Sequence, residues 1–525
     1  MRSIIAGALL AAVVTVAAGQ TWVARYNGSA NDEDQACGLG RADSGRVFVT
    51  GTSWASGTGN DILTIAYGSS GELLWAQGYD GSAHSDDLAR ALAVAGGRVV
   101  VTGGTTGASA LTDFLVIAYD AAGTQQWSAV YDAPATGNDH GLAAAIDSSG
   151  NTYAAGYATG DTTGWDFAVV KYNSSGSCQW VGTYSTIDED YVAAVAVDAS
   201  GSVYAAGSSG SPYTLSWDYV TARYSASTGD TLWVRRLNGT ADEDDEIRAM
   251  VVDNGGNVIV TGGSTNSVTG VDYTTVKYSP TGDTMWVRRY DGTASGTDWA
   301  YAVAVDAADN VYVTGSSQDT ATDMDYVTIK YDASGSQQWV ARYDGPAGSF
   351  DEARAIAVDA SGSVFVTGGS TGSGTRTDYA TVRYDAATGS EAGVRRYDGP
   401  ASRIDEAVAI VIDGSGRVVI TGSSVGSGTG NDYATVCYGD VGIEEAQSSE
   451  LRTVDGMPTI VHGILNLSSA TWDARRGVSL LDASGRVVAA LHQGTNCLSR
   501  LAPGVYFVYQ ASGTRAVSHR VVIAE

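Results

Sequence analysis

A unit of about 53 residues recurs eight times between Trp22 and Tyr438, and a period of that length decides the fold before any single residue is weighed. Its clearest copy runs from Trp339 to Ser370 and reads WVARYDGPAGSFDEARAIAVDASGSVFVTGGS. A Thr-Gly or Ala-Gly pair keeps the register at Gly51, Gly103, Gly156, Gly207, Gly262, Gly315, Gly368 and Gly422. A tyrosine does the same at Tyr67, Tyr119, Tyr172, Tyr224, Tyr278, Tyr331, Tyr384 and Tyr438. A tryptophan opens seven units, from Trp22, Trp75 and Trp127 through Trp180, Trp233 and Trp286 to Trp339; the eighth has Gly393 in its place.

Each unit holds four strand-like runs, which in the clearest copy are Trp339 to Tyr343, Ala353 to Asp359, Val364 to Gly368 and Asp378 to Tyr384. Apolar residues alternate with polar or small ones, as strands with two differently packed faces require. Turns such as Asp332-Ala-Ser-Gly335 and Asp359-Ala-Ser-Gly362 put glycine where a hairpin needs positive φ. The 67 glycines against seven prolines suit short strands and tight turns, and no stretch has the period of a long amphipathic helix.

Four antiparallel strands repeated eight times predict an all-β, eight-bladed β-propeller over residues 20–438. A WD40 unit is shorter and needs a Trp-Asp signature, a kelch unit has other landmarks, and a ring avoids the two open edges of a linear stack. The small-residue run Ala-x-Ala-Ile-Ala-Val-Asp suits the crowded innermost strand, which makes the tryptophan strand the outermost of the preceding blade. Residues 22–26 are then expected to complete the blade whose inner strands lie in 407–438, closing the ring by strand pairing.

The recurring D-Y-A-T-V-K-Y-like, W-V-A-R-Y-D-G and A-I-A-V-D-x-S-G-x-V-x-V-T-G runs resemble the bacterial β-propeller repeat family called SBBP, over about four fifths of the chain. The family name suggests seven blades, whereas this chain has eight sets of strands. The resemblance implies a propeller in an exported bacterial protein and little about activity. Residues 1–19 independently read as a secretory signal peptide: basic Arg2, an apolar run from Ile4 to Ala18, and small residues Ala17 and Gly19 at the cleavage position. That run is shorter than the roughly 20 residues a membrane-spanning helix needs, and no later segment is a candidate, so no transmembrane segment is expected.

After a polar linker at 439–457 a different module occupies 458–525. It carries Val478-Ser-Leu-Leu-Asp-Ala-Ser-Gly-Arg-Val-Val488, Leu501-Ala-Pro-Gly-Val-Tyr-Phe-Val508 and His519-Arg-Val-Val-Ile523, alternating strands that predict a small Ig-like β-sandwich. These blocks resemble the C-terminal sorting domain of type IX secretion substrates, although the usual Pro-Asn-Pro run is missing around Pro458 to Leu467. The resemblance implies contact with outer-membrane secretion machinery and a secreted or cell-surface location on a bacterium. A plain accessory sandwich is the other reading, since fold alone does not set role.

The net charge of −28 excludes the basic footprint that nucleic acid or anionic lipid requires, so no nucleic-acid partner is expected. Cys37, Cys178, Cys437 and Cys497 sit at unrelated repeat positions, with neither a zinc spacing nor a disulfide framework.

Two aspartates recur in every blade. One series is Asp34, Asp87, Asp139, Asp190, Asp245, Asp298, Asp351 and Asp405; the other is Asp61, Asp113, Asp166, Asp218, Asp272, Asp325, Asp378 and Asp432. A group present in every copy most simply serves something every blade needs, such as accepting backbone N–H groups at a turn; a carboxylate ring for Ca²⁺ is the competing reading. The acidic loops at Asp32-Glu-Asp34, Asp188-Glu-Asp190 and Asp242-Glu-Asp-Asp-Glu246 lack EF-hand spacing, so no cofactor is expected and Ca²⁺ binding is at most weak and reversible.

Residues that break the repeat are the better candidates for a ligand site. Trp54, Trp165, Trp217 and Trp299 fall on the face expected to carry the long connections, outside the recurring tryptophan position, with Phe350 and Tyr213 beside them. Exposed aromatics stack on sugars or anchor protein partners, while packing between neighbouring loops is the plainer alternative. His84 and His140 are the propeller's only imidazoles, and no recognisable nucleophile or metal motif is present. The sequence thus points to an exported, non-enzymatic propeller that binds an extracellular protein or glycan, or has a structural role, at a bacterial surface. Its alternatives are a carboxylate-dependent glycan hydrolase or lyase, and a purely structural surface-layer component.

Overall fold

In the computed structural model each repeat forms one four-stranded antiparallel sheet, and eight such sheets form the ring. The structure describes residues 20–107, 110–210, 216–319 and 323–439, together with strands of the C-terminal unit. The expected signal peptide and, beyond Gly439, the expected linker lie outside the described residues. Two compact units divide the chain, Met1–Gly442 and Ile443–Glu525. Among the described residues no helix is long and apolar enough to cross a membrane.

We number the blades from the one opening near Asp34 to the one opening at Asp405. Blade seven pairs Asp351–Val358, Ser363–Thr371, Thr377–Asp385 and Glu391–Tyr397 in chain order. The first strand of each blade neighbours the first strands of both flanking blades around a closed circuit, so the small-residue run is innermost, as expected. Blade eight has the order Gln20–Tyr26, Asn431–Tyr438, Val418–Val425, Asp405–Ile412, with Val23 opposite Val436 and Tyr26 opposite Tyr433. The expected closure by the N-terminal strand is therefore present. Arg25 locks it, donating to Asp432 at 2.8 Å, to the Tyr397 hydroxyl at 2.8 Å and to the Ser424 carbonyl at 2.9 Å.

The core lies in the seams between blades. Tyr312, Tyr326 and Trp339 of blade six, for example, pack on Val364, Val366, Ala380 and Tyr384 of blade seven. The recurring tryptophan has a specific partner: the indole N–H of Trp286 donates to the Ala333 carbonyl of the next blade at 3.3 Å, and its ring covers Gly335. Gly335 has φ +83°, and a Cβ there would come within 2.8 Å of the indole. The same pairing links Trp22 to Gly71, Trp75 to Gly123 and Trp339 to Gly389.

This contact accounts for the missing tryptophan at Gly393. The turn it would cover joins third strand to fourth, and blade eight has no such turn because its fourth strand arrives from the other end of the chain. In a double-mutant cycle, Trp286→Ala is expected to cost about 3–5 kcal/mol. Gly335→Ala is expected to cost markedly less in the Trp286→Ala background than alone, since only backbone strain of about 1 kcal/mol then remains. Additive losses in urea denaturation would show that the indole does not constrain Gly335.

The Thr-Gly landmark also has a physical cause. Every innermost strand is bulged, as at Ala353/Ala355 opposite Gly368 and Thr367. The bulge drives a carbonyl against the facing glycine, so that a Cβ on Gly368 would lie 2.0 Å from the Glu352 oxygen. The threonine beside it is buried, and Thr367 Oγ1 donates to the Ala380 carbonyl at 3.1 Å.

In the C-terminal unit a five-stranded sheet has the order Thr459–Val461, Arg515–Ile523, Gly504–Ser512, Val478–Leu481, Val487–Leu491, parallel in its first pair and antiparallel elsewhere. Ile464–Leu467 pairs separately with Gly494–Cys497. All three sequence blocks singled out in this module thus supply strands to one sheet.

Candidate ligand site at the ring axis

The first aspartate series is built into the scaffold. Asp351 Oδ2 accepts the Gly345 N–H at 2.6 Å while Oδ1 accepts the Thr371 N–H at 2.9 Å, pinning the incoming connection to the second strand. Equivalent bonds reach Asp34 from Gly28, Asp139 from Ala133, Asp298 from Gly292 and Asp405 from Gly399, and all these carboxylates are buried. A buried carboxylate that satisfies two backbone donors serves the turn, as the simpler reading of the repeat has it.

The second series depends on the blade. Asp218, Asp325, Asp378 and Asp432 pair with Arg236, Arg342, Arg396 and Arg25 at 2.8, 2.8, 3.0 and 2.8 Å. In blade one Gly78 stands where those arginines stand, and among the described residues Asp61 keeps only Thr58 as a hydrogen-bond donor, at 2.9 Å. Asp61, Asp80 and Asp87 present oxygens within 4.8 Å of one another, as do Asp272, Asp291 and Asp298. Oxygen donors in such sets have the chemistry for a hard cation. Burial, reinforced by the neighbouring carboxylates, raises Asp61 to about 6.

The tryptophans singled out from the sequence all lie at the same end of the blades, on strands rather than loops. Trp54 closes a second strand and is 39% exposed. Trp165 stacks on Tyr157 with ring centres 4.5 Å apart and planes at 24°. Trp217 meets Tyr191 edge-on at 5.0 Å. Trp299 is the second residue of an innermost strand and lies under the Arg248 guanidinium at 4.9 Å. Through Tyr191, Glu246 and Arg248 the structure joins Trp217 to Trp299; Trp165 belongs to a separate group with Tyr157 and His140. Phe350 is an exposed loop residue, and Tyr213 lies outside the described residues. His84 sits on an exposed loop against Asp80 at 2.6 Å.

What the sequence reading missed is the pair of innermost-strand positions that do change from blade to blade. The residue after the first-series aspartate is Glu246, Glu352 or Glu406 in blades five, seven and eight, and aromatic in blades three, four and six as His140, Tyr191 and Trp299. Two residues on, at the bulge, stand Arg90, Arg248 and Arg354 in blades two, five and seven, and Tyr301 in blade six. Bulges re-aim side chains, and these side chains meet between blades. The Tyr191 hydroxyl donates to Glu246 at 3.1 Å, Arg248 pairs with Glu246 at 2.8 Å, and Arg354 lies over Tyr301 at 4.7 Å while pairing with Glu352 at 2.7 Å. Burial raises Glu352, against the pull of Arg354 and with the push of Glu406. The second of these positions is the x of Ala-x-Ala, inside the small-residue run, and the first lies between the recurring aspartate and that run.

Eight four-stranded blades closed by strand exchange define a β-propeller. Residues 286–320, from the outer strand of blade five into blade six, match the family model SBBP, described as a beta-propeller repeat. No curated protein matches the chain. Among solved structures, quinohemoprotein alcohol dehydrogenase from Comamonas testosteroni is similar at 12% identity and TM-score 0.51, over 84% of this chain and 79% of that one. BamB from Moraxella catarrhalis shares 14% identity over 81% of this chain and 100% of its own, with TM-score 0.44. The polysaccharide lyase Uly1 shares 12% over 66% and 89%, with TM-score 0.42. At these identities the likeness speaks to fold alone.

Proposed function

We propose that this protein is an exported binding propeller that takes its ligand at the mouth of the ring axis, and that its C-terminal unit is a secretion and sorting signal of Ig-like sandwich form. One observation carries the binding reading: landmark Trp, Gly, Thr and first-series Asp residues are consumed by scaffold contacts, whereas aromatic, arginine and glutamate side chains that differ between blades collect at two innermost-strand positions. Aromatic and arginine groups of this kind dominate binding energy where they occur together. The leader-like residues 1–19 and the sorting-like blocks of the tail support export and surface delivery.

The test is a glycan array and a surface-protein capture screen with the full chain. Trp299→Ala with Arg248→Ala is expected to weaken the ligand found by about tenfold or more, a loss of about 1.4 kcal/mol. A ligand whose binding ignores both changes would reject the axis as its site. For the tail, deletion of residues 458–525 is expected to abolish surface delivery; continued delivery would refute the sorting role.

A further inference from the structure

Three arginines occupy the bulge position, and only two of them are neutralised on their own strand. Arg248 and Arg354 each pair with a glutamate two residues earlier, Glu246 at 2.8 Å and Glu352 at 2.7 Å. Two residues before Arg90 stands Leu88, and among the described residues no carboxylate pairs with Arg90, whose side chain is exposed. In a chain of net charge −28 this is a cation held at the axis without a counter-charge of its own.

Its surroundings are aromatic. Arg90 holds in blade two the position that Arg248 holds in blade five, and His140 holds in blade three that of Trp299 in blade six, over which Arg248 lies at 4.9 Å. The innermost strands of blades two and three are neighbours in the same way, and the Arg90 charge is felt at His140 and Tyr157. The His140 ring is 5.3 Å from Tyr157, which stacks in turn on Trp165 at 4.5 Å. Three rings therefore run outward across blade three, from His140 on its first strand through Tyr157 on the second to Trp165 on the third. Burial, with the Arg90 charge pushing the same way, lowers His140 to about 4, so near pH 7 its ring is neutral and adds a polar group but no second positive charge.

We infer that Arg90, His140, Tyr157 and Trp165 form a subsite for a carboxylated sugar residue, with the carboxylate on Arg90 and the C–H face of the ring against the aromatic run. The inference rests on the axis-binding reading and names its ligand class. A guanidinium takes a carboxylate through paired N–H donors, and an aromatic face takes the apolar face of a ring. A uronate carries both features on adjoining atoms, whereas the carboxylate of a peptide side chain ends a flexible stem with no ring face beside it.

Calorimetry on the full chain with tetragalacturonate, neutral maltotetraose and tetraglutamate tests this. Tetragalacturonate is expected to bind, with maltotetraose and tetraglutamate about tenfold weaker or worse. Arg90→Gln is expected to remove about tenfold or more of tetragalacturonate affinity without moving the melting temperature, and Arg41→Gln, exposed at the far end of the innermost strand of blade one, to change it less than about threefold. No tetragalacturonate binding, equal binding of tetraglutamate, or binding untouched by Arg90→Gln would each overturn the subsite. A different ligand lost on Trp299→Ala but indifferent to Arg90→Gln would refute the subsite while leaving the axis-binding reading in place.

Discussion

Removing Gln20–Tyr26 is expected to abolish cooperative folding of the whole ring, although only seven residues are lost. Those residues are the outer strand of blade eight, and their absence bares the edge of Asn431–Tyr438. They also carry Trp22, which is 4% exposed and donates its indole N–H to the Ser69 carbonyl of blade one at 3.2 Å. Losing a buried tryptophan alone costs about 3–5 kcal/mol. Arg25 adds an ion pair whose partner Asp432 would remain buried without a cation, a penalty of similar order when such a pair is broken. Together these rival the 5–15 kcal/mol that typically separates folded from unfolded domains. A milder variant isolates the lock: Arg25→Ala is expected to cost about 2–4 kcal/mol in urea denaturation, and the exposed Arg248→Ala within about 0.5 kcal/mol. Equal losses would show that closure does not depend on Arg25.

The ring, the order of its strands and its closure were legible because a strand's place in a blade is written in landmarks that recur without exception. What those landmarks do was less legible. Trp286 and Gly335 are 49 positions apart and belong to neighbouring blades, so their contact appears only once the ring is closed. Gly393 looks like a lost anchor in sequence and is explained only by the strand that blade eight borrows. The candidate site escaped for a different reason. Alternation has a period of two, and the bulge between Ala353 and Ala355 adds a residue that breaks it. Arg354, Arg248 and Arg90 therefore look like interruptions of an apolar strand. Trp299 lies at the same end of the blades as the other three tryptophans, but on the innermost strand that Asp298 opens rather than in a loop.

The melting temperature is expected to rise as pH falls from 8 to about 5, by about 5 °C or more, because the seams between blades hold carboxyl groups that prefer their protons. Burial lifts Asp34, Asp61, Asp190 and Asp405 from the ordinary 3.8 to about 6, although donors such as the Gly28 and Gly399 N–H groups pull Asp34 and Asp405 the other way. Between 3.8 and about 6 the folded chain therefore binds protons that the unfolded chain does not. The stability this brings is full below 3.8 and is lost as pH rises through about 6. A two-unit shift corresponds to at most about 3 kcal/mol per group, less for Asp61, which solvent partly screens.

Two opposing contributions set the limits of the effect. His140, lowered from 6.5 to about 4 by burial and Arg90, favours folding above 6.5 and loses that contribution as pH falls through about 4. It is one group against four. Turn aspartates such as Asp147 and Asp306 lie below their ordinary range despite burial, because Asn151 and Asn310 donate to them, so their support is lost only in stronger acid. The maximum is therefore expected near pH 4–5. Asp61→Asn, which mimics the protonated form where Thr58 is the partner, is expected to raise the melting temperature at pH 8 and leave it nearly unchanged at pH 4. Calorimetric scans that place the highest melting temperature at pH 8, or an Asp61→Asn gain that does not shrink in acid, would show that the seam carboxylates are ionised in the folded ring.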